Sequence, residues 1–159
     1  MSLLNWKKSQ NPSKEDKLLL KYWEQVHGII FTEVFVGKGG VNKKWASEAK
    51  SRRIDGVRII TPSKINGLSD DIITFNTFIK QSNFEEFQKI LLSGQVEVIE
   101  IKHSLDRVVL GQVIIGADLL EMEYNLTNVR QVVLYEIGDP VLEAVCKKRN
   151  IEVWKPAKE

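Results

Sequence analysis

With a single cysteine, Cys146, the chain can form neither an internal disulfide nor a cysteine-rich zinc site. That cysteine falls in an apolar helical pattern, so a buried core thiol is expected there. No run of about 18 apolar residues occurs, and no helical membrane span is expected. The opening residues, MSLLNWKKSQNPSK, lack the apolar stretch of a signal peptide, which makes a cytoplasmic location the expectation. Neither sign of charge dominates, because 23 basic and 21 acidic residues leave a net charge of +2. Such a balance neither implies nor excludes a nucleic-acid partner; the distribution of charge must decide. No internal repeat and no Pro/Gly/Ser linker divides the 159 residues, a length that suits one domain with one core.

What is present is an alternation of helical and extended patterns. Residues 1–12 are polar and expected to be loosely ordered. Ser13, with Asp16 three residues on, reads as the N-cap of a helix that runs to about Val26 and stops at Gly28. Its apolar stripe is Leu18, Leu19, Tyr22, Trp23 and Val26. IIFTEVFVG (29–37) and RIDGVRIIT (53–61) read as strands. Between them, residues 38–53 are rich in glycine and basic residues and read as an exposed loop with a short helical turn near Trp45. Residues 63–95 read as an insertion. It holds a short strand or turn near Ile72–Phe75 and a helix over about 83–92, with Phe84, Phe87 and Leu91 on one face. VEVIEIKHS (96–104) is the clearest strand. A helix follows over 106–125, apolar on most sides and therefore well buried. Then come a strand at 129–138, a helix opened by Asp139 and Pro140, and a last short strand at 151–156. The order α-β-β-(insertion)-β-α-β-α-β predicts an α/β fold: a mixed sheet flanked by helices, with parallel pairing near the C-terminus.

The chemistry-bearing residues lie on two of these strands. Three Glu-x-Lys tripeptides occur, and only Glu100-Ile101-Lys102 falls on a strand pattern. Alternation places Glu100 and Lys102 on the side of Val98, with Glu97, Ile99 and Ile101 on the other. A carboxylate and an ammonium at the end of a buried strand are costly unless paired or used. The ordinary alternative is a structural Glu–Lys ion pair. Asp55, in RRIDGVRII, sits on a second apolar strand beside Gly56, which leaves room for a ligand. Two carboxylates from neighbouring strands can hold a Mg²⁺ or Mn²⁺ ion, and a lysine beside them can orient water or offset charge on phosphorus.

An Asp on one strand, Glu-x-Lys on a later strand and a following helix that carries Gln112 together resemble the PD-(D/E)XK, or restriction-endonuclease-like, nuclease superfamily. The resemblance covers most of the chain, from Ser13 to Gly138. Ile54 stands where the family's name has proline, and the long spacing from Asp55 to Glu100 requires the insertion. The resemblance implies a core of α-β-β-β-α-β, here with an extra C-terminal α-β. It implies a Mg²⁺- or Mn²⁺-dependent DNA nuclease with Asp55, Glu100 and Ile101 contacting the metal and Asp55, Glu100, Lys102 and Gln112 as catalytic residues. It also implies an acid from the first helix. Glu15 is in step with Leu18, Leu19 and Tyr22 and is preferred over Glu24. A homodimer is plausible only by analogy with the family.

Lys38, Lys43, Lys44, Lys50, Arg52 and Arg53 all precede Asp55. Lys43, Lys44, Arg52 and Arg53 are taken as the phosphate-binding set, and Trp45 could stack on an unpaired base. The competing reading is a solvated charged loop. His103 is expected to be structural and His27 to cap the carbonyls of the first helix. GKGG (37–40) lacks the Gly-Lys-Ser/Thr ending of a phosphate loop. Two other functions stay open: a nucleic-acid-binding module with weak or lost catalysis on the same fold, and a small-molecule or nucleotide-binding α/β protein.

Overall fold

A computed structural model describes residues 12–37, 50–60, 68 and 70–158. The expectations for the N-terminal tail, the rest of the GKGG segment, Lys43, Lys44 and Trp45 lie outside these residues. Helix α1 is Lys14–Val26, opened by a full capping box in which Ser13 and Asp16 satisfy each other's backbone N–H. It buries Leu18, Leu19, Tyr22 and Trp23 of the expected stripe and leaves Val26 partly buried.

Among the described residues, six strands follow: β1 (Ile29–Gly37), β2 (Ser51–Ile60), β3 (Asp71–Thr74), β4 (Gln95–Ile101), β5 (Arg130–Leu134) and β6 (Glu152–Trp154). They form one mixed sheet in the order β3-β1-β2-β4-β5-β6. β1–β2 and β2–β4 are antiparallel pairs, while β4–β5 and β5–β6 are parallel. The remaining helices are α2 (Phe75–Lys80), α3 (Phe84–Leu92), α4 (Arg107–Tyr124) and α5 (Pro140–Lys148). α4 and α5 supply the crossovers that parallel neighbours need. Among the described helices, α1 alone covers one face, packing on Ile30, Ile72, Ile99, Ile101, Val132 and Leu134. α2 to α5 cover the other, where Phe31, Ile54, Val57 and Val98 meet Phe87, Val113, Ala117 and Leu120.

Two expectations are corrected, and the short strand or turn expected near Ile72–Phe75 is a strand. The basic segment is not all loop, since Ser51, Arg52 and Arg53 already pair with Gly37, Val36 and Phe35 in β2. Within 63–95, Asp71–Thr74 is an edge strand parallel to β1, and α2 directly follows it. The segment therefore extends the sheet rather than merely interrupting it. His27 closes α1 through its backbone N–H, given to Trp23, at a positive φ of 57°. The side chain that caps the helix end is Arg58, whose guanidinium donates to the carbonyls of Val26 and His27 at 2.7 and 2.6 Å.

Candidate functional site

The side-chain alternation of β1 and β2 breaks at one level. Ile29 and Phe31 face the α4 side, and so do Val34 and Val36, a change from odd to even positions. Glu33, at the break, has φ 57°. Thr32 pairs with Gly56 and Val34 with Ile54, so Asp55 lies opposite Glu33 at the gap in that ladder. On the other side, the β2–β4 ladder runs from Ile60↔Gln95 to Gly56↔Ile99 and goes no further. Asp55 and Glu100 are the next residues on each strand. The carboxylate of Asp55 accepts a 2.9 Å hydrogen bond from the Ile101 backbone N–H and so fills the fork where the two strands part.

Glu100 is only 3% exposed. Burial first, then the charge of Asp55 and a shared hydrogen bond with it, pushes its carboxyl from 4.5 up to about 9. A buried carboxyl group beside a second, half-buried one is best satisfied by holding a proton between them or by binding a cation. Glu15, from the first turn of α1, joins the same field. Its carboxyl is raised by partial burial, then by Asp55 and Asp16, while Lys102 pulls it down. Glu15 and Asp55 share a hollow of about 250 Å³ with Asp16, Thr32, Glu33 and Ile101. Glu24 lies two turns further along α1 and does not line that hollow.

Lys102 follows the last residue of β4. Its backbone N–H donates to Leu134, and its ammonium stands 3.7 Å from Asp106, the residue whose side chain caps α4. The site thus contains a Lys–Asp pair, half-exposed on both partners, rather than a Glu100–Lys102 pair. Among the described residues, no three His, Cys, Asp or Glu side chains form a metal-holding group. An ion at the fork would have Asp55, Glu100, the main-chain carbonyl of Ile101 and water as its donors, a set that suits a hard cation.

On the α4 side of Glu100 lies a second hollow, a groove of about 480 Å³ lined by Arg52, Arg53, Ile54, Gln112 and the exposed face of α4. Gln112 therefore shares a cavity with Glu100. Arg53 pairs with Glu33 at 3.0 Å and lies over the Phe35 ring, and Arg52 donates to the Lys50 carbonyl. α4 comes close to β2 and β4 because of Gly116, where a Cβ would stand 3.4 Å from both Ile54 and Val98 and 3.6 Å from a Glu100 oxygen.

Other singled-out residues stand apart. His103 bonds Glu136 at 2.8 Å on the surface, and Cys146 is fully buried. Tyr124 is also core, stacked on Phe84. Sequence reading missed Asp106 and the buried network in which Glu97 accepts from Arg58 and Tyr22 at 2.8 and 3.1 Å. The available signal was a charged residue in the middle of each of two apolar strands, β2 and β4. Compared with known proteins, the chain matches no family model, no curated protein and no solved structure.

Proposed function

We propose that the chain is a metal-dependent nuclease that hydrolyses DNA phosphodiester bonds at Asp55, Glu100 and Lys102. The observation that carries this reading is the contact of two carboxyl groups at the fork between β2 and β4, one of them buried enough to be raised to about 9. The core order α1-β1-β2-β4-α4-β5 also follows the restriction-endonuclease-like pattern that the sequence resembles. A Mg²⁺ or Mn²⁺ ion held by Asp55, Glu100 and the Ile101 carbonyl would supply Lewis-acid polarisation of a phosphate and a more acidic water.

The protein's own groups divide the remaining work. Asp55 is fixed by the Ile101 N–H, so its second oxygen has a set direction. Glu100 contributes a carboxylate only once its proton is displaced. The Lys102 ammonium is held to Asp106 by a half-exposed pair, of a kind worth under about 1 kcal/mol, and is readily exchanged for a phosphate oxygen. There it opposes the charge that grows in the transition state. Gln112 offers an amide to whatever occupies the groove. Glu15 adds negative charge beside Asp55 and strengthens the site's preference for a cation.

Incubation with linear, circular, single-stranded and branched DNA in Mg²⁺, Mn²⁺ or EDTA tests the reading. Cleavage is expected with metal only, and is expected to vanish in Asp55→Ala and Glu100→Ala. Lys102→Ala should still bind Mn²⁺ by calorimetry yet lose on the order of 10²–10³ in rate, the usual effect of removing one transition-state contact. The Glu100→Ala/Lys102→Ala double variant should be little worse than Glu100→Ala alone, since both act in one step. Cleavage that persists in both carboxylate variants removes the proposal.

A further inference from the structure

We propose that the groove between α4 and the Arg52–Arg53 strand end receives an unpaired nucleotide. The preferred substrate is then DNA with a single-stranded segment rather than intact duplex. This rests on the nuclease reading of Glu100 for its chemical purpose. The groove holds about 480 Å³, within the roughly 300–1,000 Å³ of sites that enclose small molecules. A stacked double helix stays outside a hollow of that size; a single nucleotide enters it.

The two sides of the groove differ in chemistry. Ile54, Val108, Ile115 and Leu119 give it apolar surface, the kind on which a base face rests. Val108 and Ile115 are 59% and 50% exposed, so this surface is not consumed by the protein's own core. Arg52 and Arg53 line the same groove and suit a phosphate. Glu100 lines it too, so a nucleotide held there lies beside one of the two carboxyl groups of the site.

Gly111 is the independent observation. It sits inside α4, where glycine costs roughly 0.5–1 kcal/mol relative to alanine. Among the described residues, a Cβ there would meet no atom within 4 Å. Internal packing therefore gives no reason for a glycine, in contrast to Gly116, whose neighbours are already close. Open space against the helix backbone, on the wall of this groove, lets a ligand approach closely. Paired bases reach such a place only after unstacking, at a cost of a few kcal/mol. An overhang, flap or single strand does not incur it.

The test measures binding by fluorescence anisotropy with Ca²⁺ in place of Mg²⁺. The probes are an oligothymidine, a blunt duplex and the same duplex with a single-stranded overhang. The oligothymidine and the overhang should bind at least about fivefold tighter than the blunt duplex, given about 1–3 kcal/mol per stacked base. Gly111→Leu fills the groove and removes a helix-interior glycine, so it should melt no lower than the parent and lose the preference. Ile115→Glu, at an exposed position, should lose it as well. Equal binding of all three probes by the parent, or a preference intact in both variants, overturns the proposal. Mg²⁺-dependent cleavage of blunt duplex as fast as overhang would retain the nuclease and remove the groove's role. Overhang preference with no cleavage in any metal would do the reverse.

Discussion

Glu100 is a carboxylic acid whose two environments, folded and unfolded, disagree about its proton. Unfolded, it ionises near 4.5; folded, burial and Asp55 hold the proton to about 9. The raised group therefore gives its full contribution to stability below pH 4.5. That contribution is lost as pH rises through the window up to about 9, because the unfolded chain ionises first. Glu100→Gln is neutral throughout and escapes the loss. In EDTA at pH 8 it should melt above the parent, with the gap closing as pH falls toward 4.5. One pKa unit corresponds to about 1.4 kcal/mol, and in a chain of this size each kcal/mol moves Tm by about 2–4 °C, so several degrees are expected. Adding Mn²⁺ should raise the parent's Tm and leave Glu100→Gln little changed, since a ligand stabilises only the form that binds it. Melting curves at several pH values decide this. A parent and variant that melt together at pH 8 would show that the Glu100 carboxylate is already satisfied, and a variant that melts well below the parent would make it a structural ion.

At the level of strands and helices, the site exists because two strands change face together at Glu33 and Asp55. Glu33 holds φ 57°, a conformation that costs a side-chain-bearing residue roughly 1–2 kcal/mol. Glu33→Gly should keep the fork and be neutral to about 1 kcal/mol more stable, even after loss of the exposed Arg53 pair. Glu33→Val should lower stability by at least about 1 kcal/mol although valine favours strands, because a β-branched residue resists positive φ. Chemical denaturation of the two variants checks this, and a stabilising valine would mean that the strand alternates regularly. The break itself was not legible in IIFTEVFVG, where consecutive apolar residues flank Thr32 and Glu33 on both sides and alternation carries no phase. The same strand as a whole was legible from its β-branched and aromatic residues, and α1 and α5 from Ser13, Asp16, Asp139 and Pro140 at their starts. α2 was not, because no side chain caps it and six residues show no period. Asp55 and Glu100 could be picked out as acids on apolar strands. The open space over Gly111 leaves no mark in a sequence; of the Arg58–Glu97–Tyr22 network, only the charges of Arg58 and Glu97 within apolar strands are visible, not the pairing, whose partners lie 39 and 75 residues apart.

Across the whole molecule, a net charge of +2 conceals two hollows of opposite character on either side of the carboxylate pair. The hollow under α1 carries Glu15, Asp16, Glu33 and Asp55; the groove along α4 carries Arg52 and Arg53. A polyanion meets repulsion on the first side and attraction on the second, so DNA should approach along α4 with its phosphates toward the basic strand end. Arg53 has only an exposed pair with Glu33 to give up, a small loss against a phosphate contact. Lys43 and Lys44 fall in the same basic stretch of sequence between β1 and β2. Replacing Lys43, Lys44, Arg52 and Arg53 by alanine should weaken DNA binding broadly. The slope of log affinity against log salt should fall by about 0.9 for each lost phosphate contact on duplex and about 0.7 on single strands. Mn²⁺ affinity should barely change, because none of the four supplies a metal donor. Measured between low and moderate salt, a shallower slope with intact metal binding separates the phosphate-holding surface from the carboxylate site. An unchanged slope would move the DNA surface away from the groove and take the approach along α4 with it.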